Sequence, residues 1–154
     1  MSSINYDDIF GSFLSNVRDF RIANQYEDVT QEELTDYLHK VIGTPYIITL
    51  FQSISLDDNN RVIEYVMKNP SQNGDDYFII NLFGKAMVYE WIHPMVRKTS
   101  LMCQMFSGKE VKFYAQANHL DEMMKLEETA DIEVRHMIRD RGYILNDYLG
   151  GNGS

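Results

Sequence analysis

Cysteine is almost missing. Cys103 is the single one in 154 residues. No intrachain disulfide can form, and a structural zinc site built on thiolates is excluded. Such usage suits a reducing compartment or a particle assembled inside a cell. Proline and glycine are scarce too, at three and nine residues, so the elements should be long and rarely interrupted. No uncharged apolar run approaches bilayer length. The first eight residues carry acids and no apolar stretch, so no secretory leader is expected. No repeat period is evident. Low complexity is confined to residues 150–154, Gly-Gly-Asn-Gly-Ser, which read as a flexible tail after a single domain over residues 1–149.

Positive charge is the other shortage. Fourteen Lys and Arg face 23 Asp and Glu, a formal net charge of −9. Binding nucleic acid by phosphate neutralisation needs a basic face. The nearest candidate, Arg135, Arg139 and Arg141, is interleaved with Asp131, Glu133 and Asp140, as in a salt-bridged helix face.

What is present is mostly helical patterning. Asn5 can cap a first helix, with Ile4 and Ile9 at staple positions and Phe10, Phe13, Leu14 and Val17 at helical spacing. Thr30 and Glu33 form a capping box, with Val29 and Leu34 as staple. Leu34, Tyr37, Leu38, Val41 and Ile42 then share one face, and Gly43 and Pro45 end the helix. Residues 46–54 should add one or two turns. The β-like stretch is short: Ile54-Ser55-Leu56, a turn at residues 57–60 and a β-branched, aromatic run over 61–68, together a small hairpin. Residues 69–74 read as a loop. Asp75 and Asp76 start a helix whose run Tyr77 to Ile92 is apolar on nearly every side, which predicts burial in a core or an interface. Pro94 should kink or restart it. Ser107 and Glu110 form another capping box, with Phe106 and Val111 as staple. No Gly or Pro follows until Gly142, so a helix of more than 30 residues is expected, with a break near Thr129 as an option. The fold class is therefore mainly α: a helical bundle with one long C-terminal helix and a small β-hairpin near residues 54–68.

Two Glu-x-x-His pairs, Glu90 with His93 and Glu133 with His136, place both side chains of each pair on one helix face. With Glu122 and Glu33 they would form the ligand set of a di-iron or di-manganese carboxylate bundle. The turn this needs near Thr129 lacks Gly and Pro, and His93 precedes a proline, so surface or interface polar residues are expected instead. Cys103 lies on an apolar stripe and reads as a small core residue. His39 sits near a helix C-terminus and His119 inside the long helix, where structural roles are expected. Met95, Met102, Met105, Met123 and Met124 fit gap-filling in a helical core or an adaptable partner face. No catalytic residue, cofactor or metal site is assigned. Subunit contacts are expected from the apolar helices, with Phe83, Tyr89, Trp91, Met102, Met124, Tyr143 and Tyr148 as candidates.

Several segments, in order along most of the chain, carry a resemblance. They are Tyr6-Asp7-Asp8-Ile9-Phe10, Leu38-His39, Pro45-Tyr46, Leu50-Phe51-Gln52-Ser53-Ile54-Ser55-Leu56-Asp57-Asp58, Glu90-Trp91-Ile92, Gln116-Ala117-Asn118-His119-Leu120 and Asp140-Arg141-Gly142-Tyr143. The chain resembles the head–tail connector, or neck adaptor, proteins of tailed phages that infect Gram-positive bacteria. The resemblance implies a non-enzymatic, mostly helical virion protein assembled in the host cytoplasm. It implies a homo-oligomeric ring, twelve-fold, beneath the portal, touching portal and tail or neck proteins and passing genomic DNA without sequence-specific binding or membrane contact. An acidic channel lining would repel phosphate. Two alternatives remain open at this level: an acidic inhibitor that mimics DNA, and the di-metal helical-bundle enzyme.

Overall fold

The computed structural model describes residues 2–18, 30–105 and 110–145, with side chains for 2–17, 30–101 and 120–144. Five helices and three strands lie among them: β1 (Ser2–Asn5), α1 (Tyr6–Arg18), α2 (Gln31–Ile42), α3 (Pro45–Ile48), β2 (Phe51–Asp57), β3 (Val62–Met67), α4 (Asp76–Met105) and α5 (Glu110–Leu145). The protein is mostly helical, with one small antiparallel sheet of order β1-β3-β2.

The capping box forms as the sequence predicts. The Thr30 hydroxyl accepts the Glu33 N–H, and the Glu33 carboxylate accepts the Thr30 N–H at 2.9 Å. Leu34, Leu38 and Val41 are buried, Tyr37 and Ile42 half-buried, and α2 ends at Gly43 ahead of Pro45. The remaining staple and cap residues, Val29, Phe106 and Ser107, lie outside the described residues.

Two expectations are corrected, and the long C-terminal helix forms without its optional break. The hairpin is not isolated, because β1 adds to β3 with Ile4 opposite Ile63. Asn5 thus closes a strand as well as preceding a helix, and the Tyr6 N–H bonds to the Arg61 carbonyl at 2.9 Å. The helical turns expected over 46–54 stop at Ile48, and Phe51 already pairs with Met67 in the sheet. The long C-terminal helix has no break at Thr129 and runs through Gly142 as well, covering 36 residues. Pro94 lies inside α4. Its ring leaves the Glu90 carbonyl without the usual helical donor, and its exposed position lets solvent reach that turn.

α4 is the central element, packed against α1, α2 and α5. This explains its all-round apolar run: Ile79, Leu82, Phe83, Met87, Val88, Trp91 and Ile92 are all buried. Where α1 crosses it, Gly84 is required by contact. A Cβ there would lie 2.3 Å from Ser12 Oγ and 2.7 Å from its Cβ. Gly84→Ala should therefore destabilise the fold by about 1–3 kcal/mol, the usual cost of overpacking. Urea titration checks this, and a neutral or stabilising alanine would refute the close crossing.

Candidate interaction surface

The acids that dominate the composition act first as acceptors inside the fold. Tyr6 OH donates to Asp58 Oδ1 at 2.6 Å, Tyr46 OH to Asp131 Oδ1 at 3.2 Å, and Tyr65 OH to Asp76 Oδ1. Each bond ties two elements together. Asp58 also receives His39 Nε2 at 3.0 Å, which joins the hairpin turn to the end of α2. Arg61, at the end of the turn with φ 57°, bonds Asp7 at 2.6 Å and Gln31 at 2.8 Å. Its guanidinium lies over the Phe10 ring. One arginine thus links the starts of α1 and α2 to the sheet.

These pairings set the titration behaviour. Burial, then the charge of Asp131 and its hydrogen bond, push the Tyr46 phenol up to about 12. Burial likewise raises Tyr6 and Tyr65, helped by hydrogen bonds to Asp58 and Asp76. A raised folded value favours the neutral phenol. That stabilisation is complete below the ordinary tyrosine value of about 10 and is lost as pH rises through 12. Stability should therefore fall between about pH 10 and 12, with phenolate absorbance of these tyrosines appearing together with loss of helical circular dichroism. Complete titration of all tyrosines in a still-folded chain would contradict the pairing.

The two Glu-x-x-His pairs take other partners. His93 Nδ1 meets Glu127 Oε2 at 3.3 Å, and the His93 ring stacks on Tyr89 at 5.2 Å. Glu133 bonds Lys85 Nζ at 2.8 Å. His136, Glu122 and Glu33 are exposed, while partial burial raises the Glu90 carboxyl. Among the described residues no group of three or more His, Cys, Asp or Glu is placed to hold a metal ion. Adding manganese or iron should leave the melting temperature of the purified chain unchanged. A saturable upward shift would show that these pairs converge after all.

The candidate contact residues fall into two groups. Phe83 and Trp91 are interior. Trp91 meets Phe13 edge-on at 6.1 Å, and Phe83 packs on Phe51 at 6.0 Å, which takes both off the surface of the single chain. Tyr89, on α4, is half-buried and stacked on His93. Met124 and Tyr143 are exposed, at 50% and 46%. Met102, Tyr148, Cys103, Met105 and His119 lie outside the described side chains, and residues 150–154 outside the described residues. Pattern alone does not single out the other exposed apolar side chains, Ile48, Tyr77, Leu101, Ile132 and Ile144.

Two surface features stand out. At one end of the α4–α5 pair a cavity of about 370 Å³ is lined by Ser71, Gly74, Asp75, Phe78, Met137 and Ile144, among others. At the start of α2, Glu32, Asp36 and Asp58 line an acidic cavity of about 430 Å³ beside Arg61. No helix among the described residues is long and apolar enough to cross a membrane. Comparison of the chain with protein-family models, curated proteins and solved structures returns no match.

Proposed function

We propose that the chain is a non-enzymatic structural subunit of a phage virion, a head–tail connector that assembles as a ring around the DNA channel below the portal. The observation that carries this reading is the proportion of the α4–α5 pair. α4 has 30 residues and α5 has 36. At 1.5 Å per residue they are about 45 and 54 Å long, well beyond a helix of average length. Leu101, Met124, Ile132 and Ile144 on this pair are exposed apolar side chains. A neighbouring copy would give them cover, and repetition around a closed ring supplies one to every subunit. The segment resemblance leads to the same place. Portal, neck and tail proteins are the proposed further neighbours, twelve copies the proposed ring, and the virion the proposed location. The carboxylate excess would keep passing DNA from sticking. Mass spectrometry of purified particles that carry the gene tests this. Stoichiometric presence of the chain supports the reading, and its absence from the particles overturns it.

One observation favours a second reading, an acidic inhibitor that imitates DNA. The charge imbalance is concentrated in the first half: residues 1–76 hold 13 of the 23 acids and five of the 14 Lys and Arg. Glu32, Asp36 and Asp58 face one cavity there. This reading requires salt-sensitive binding to a basic protein, with affinity falling steeply as ionic strength rises.

A further inference from the structure

The sheet has two edges, and neither is paired with a further strand among the described residues. β1 and β2 flank β3, and among the described residues no hydrogen bond reaches the outer backbone groups of either strand. Unprotected edges are normally blunted by lysine, proline or covering elements, because they template pairing with another chain. Here neither strand contains Lys or Pro, and the one irregularity in β2, between Phe51 and Ser53, lies away from Leu56 and Asp57. β1 has no charged residue, and β2 has only Asp57 at its end. In a chain of net charge −9, these are surfaces on which two copies can meet without opposing carboxylates.

The register carries the inference further. Both edge strands are antiparallel to β3, so they run parallel to each other. Through β3 they share rows: Ile4, Ile63 and Leu56 form one, Ser3, Glu64 and Ser55 the next, and Asn5, Val62 and Asp57 the third. Ile4 and Ile63 are buried, whereas Leu56 and its neighbour Ile54 are only half-buried at the open edge.

We infer that β2 of one copy receives β1 of the next copy in parallel register, extending the sheet from subunit to subunit. The apolar row then continues, with the neighbour's Ile4 in line with Leu56. Asp57, the one charge on either edge, falls beside the neighbour's Asn5, an amide that can donate to it. Self-pairing of two β2 strands would stop at two copies and leave both β1 edges open. Head-to-tail pairing uses both edges of every copy, and rotation can close it. The strand contact stands on the edges alone; its closure into a ring rests on the connector reading.

Cysteine pairing tests it in the full chain. Ser3 and Ser55 are exposed and sit on opposite sides of Glu64, two strand spacings apart within one copy. That is roughly 10 Å, too far for an intrachain disulfide. Across the proposed contact they become adjacent. In a Cys103→Ser background, Ser3→Cys and Ser55→Cys chains should each stay uncrosslinked alone at high concentration. Mixed under mild oxidation, they should give the crosslinked pair. Crosslinking of Ser55→Cys with itself at equal yield would show β2 self-pairing and overturn the proposal, as would no crosslink in the mixture. The chain carrying both cysteines separates the two claims. A ladder ending in one closed species supports strand contact and ring, while an open-ended ladder keeps the strand contact and overturns the ring.

Discussion

Replacing Arg141 by methionine should destabilise the chain by about 3–5 kcal/mol, the cost of stripping one partner from a buried ion pair. Arg141 lies on α5 near its C-terminal end and is 66 residues from Asp75. Its Nη2 and Nε contact Asp75 Oδ1 at 2.9 and 3.2 Å, and Nη2 also donates to the Asn69 carbonyl. The pair is little exposed, with side-chain exposures of 11% and 7%. Its guanidinium covers the Phe78 ring. Asp75 in turn accepts the Ser71 N–H at 2.9 Å, so the loop before α4, the start of α4 and the end of α5 depend on one carboxylate. Methionine keeps the aliphatic bulk but leaves that carboxylate inside without its cation. Removing both charges should recover much of the loss, because an apolar replacement of a whole buried pair is often neutral. Urea denaturation of Arg141→Met, Asp75→Asn and the double variant gives the coupling between them. A loss below about 1 kcal/mol for Arg141→Met would place this contact at the solvent-exposed end of the range.

Trp91→Ala and Phe13→Ala should each cost about 3–5 kcal/mol, the range for removing a large buried aromatic. Phe13 is fully buried between Tyr37 and Trp91, and Trp91 is 3% exposed. Their contact joins α1 to α4, on the same interface that holds Gly84 against Ser12. By contrast, Met124→Ala and Tyr143→Ala should change stability by no more than about 0.5 kcal/mol, since both side chains are exposed. The two sets separate core from contact surface. If Trp91→Ala folded with near-native stability and lost only self-association, its burial in the single chain would be refuted. Trp91 is the chain's one tryptophan, so its fluorescence follows the same transition without a label.

Much of the helical plan was legible because its signals are local. The Thr30–Glu33 box, the Gly43-Thr44-Pro45 stop and the apolar run of α4 each depend on neighbours within a turn or two. β1 was not legible. Four residues, Ser-Ser-Ile-Asn, have too little alternation to read as a strand, and they become one only because β3 lies beside them. The start of β2 was hidden for a related reason. Six of the nine residues 46–54 are apolar, and a short apolar run fits helix and strand alike. The polar contacts had no local signal at all. Tyr6 and Asp58 are 52 residues apart, Tyr46 and Asp131 are 85 apart, and Arg141 and Asp75 are 66 apart. The Glu-x-x-His pairs show the opposite limit. Their spacing correctly places two side chains on one helix face, but spacing carries no information about the facing helix, and α5 offers Glu127 to His93 rather than Glu133. Trp91 and Phe83 illustrate a third limit: composition marks large aromatics as anchors equally for a core and for an interface.

Native mass spectrometry of the concentrated, purified chain tests the ring most directly. A ring-forming connector should appear as one discrete closed assembly of many copies, free of metal, that dominates as concentration rises. A chain that stays monomeric at every concentration, or that carries two metal ions per copy, would contradict it.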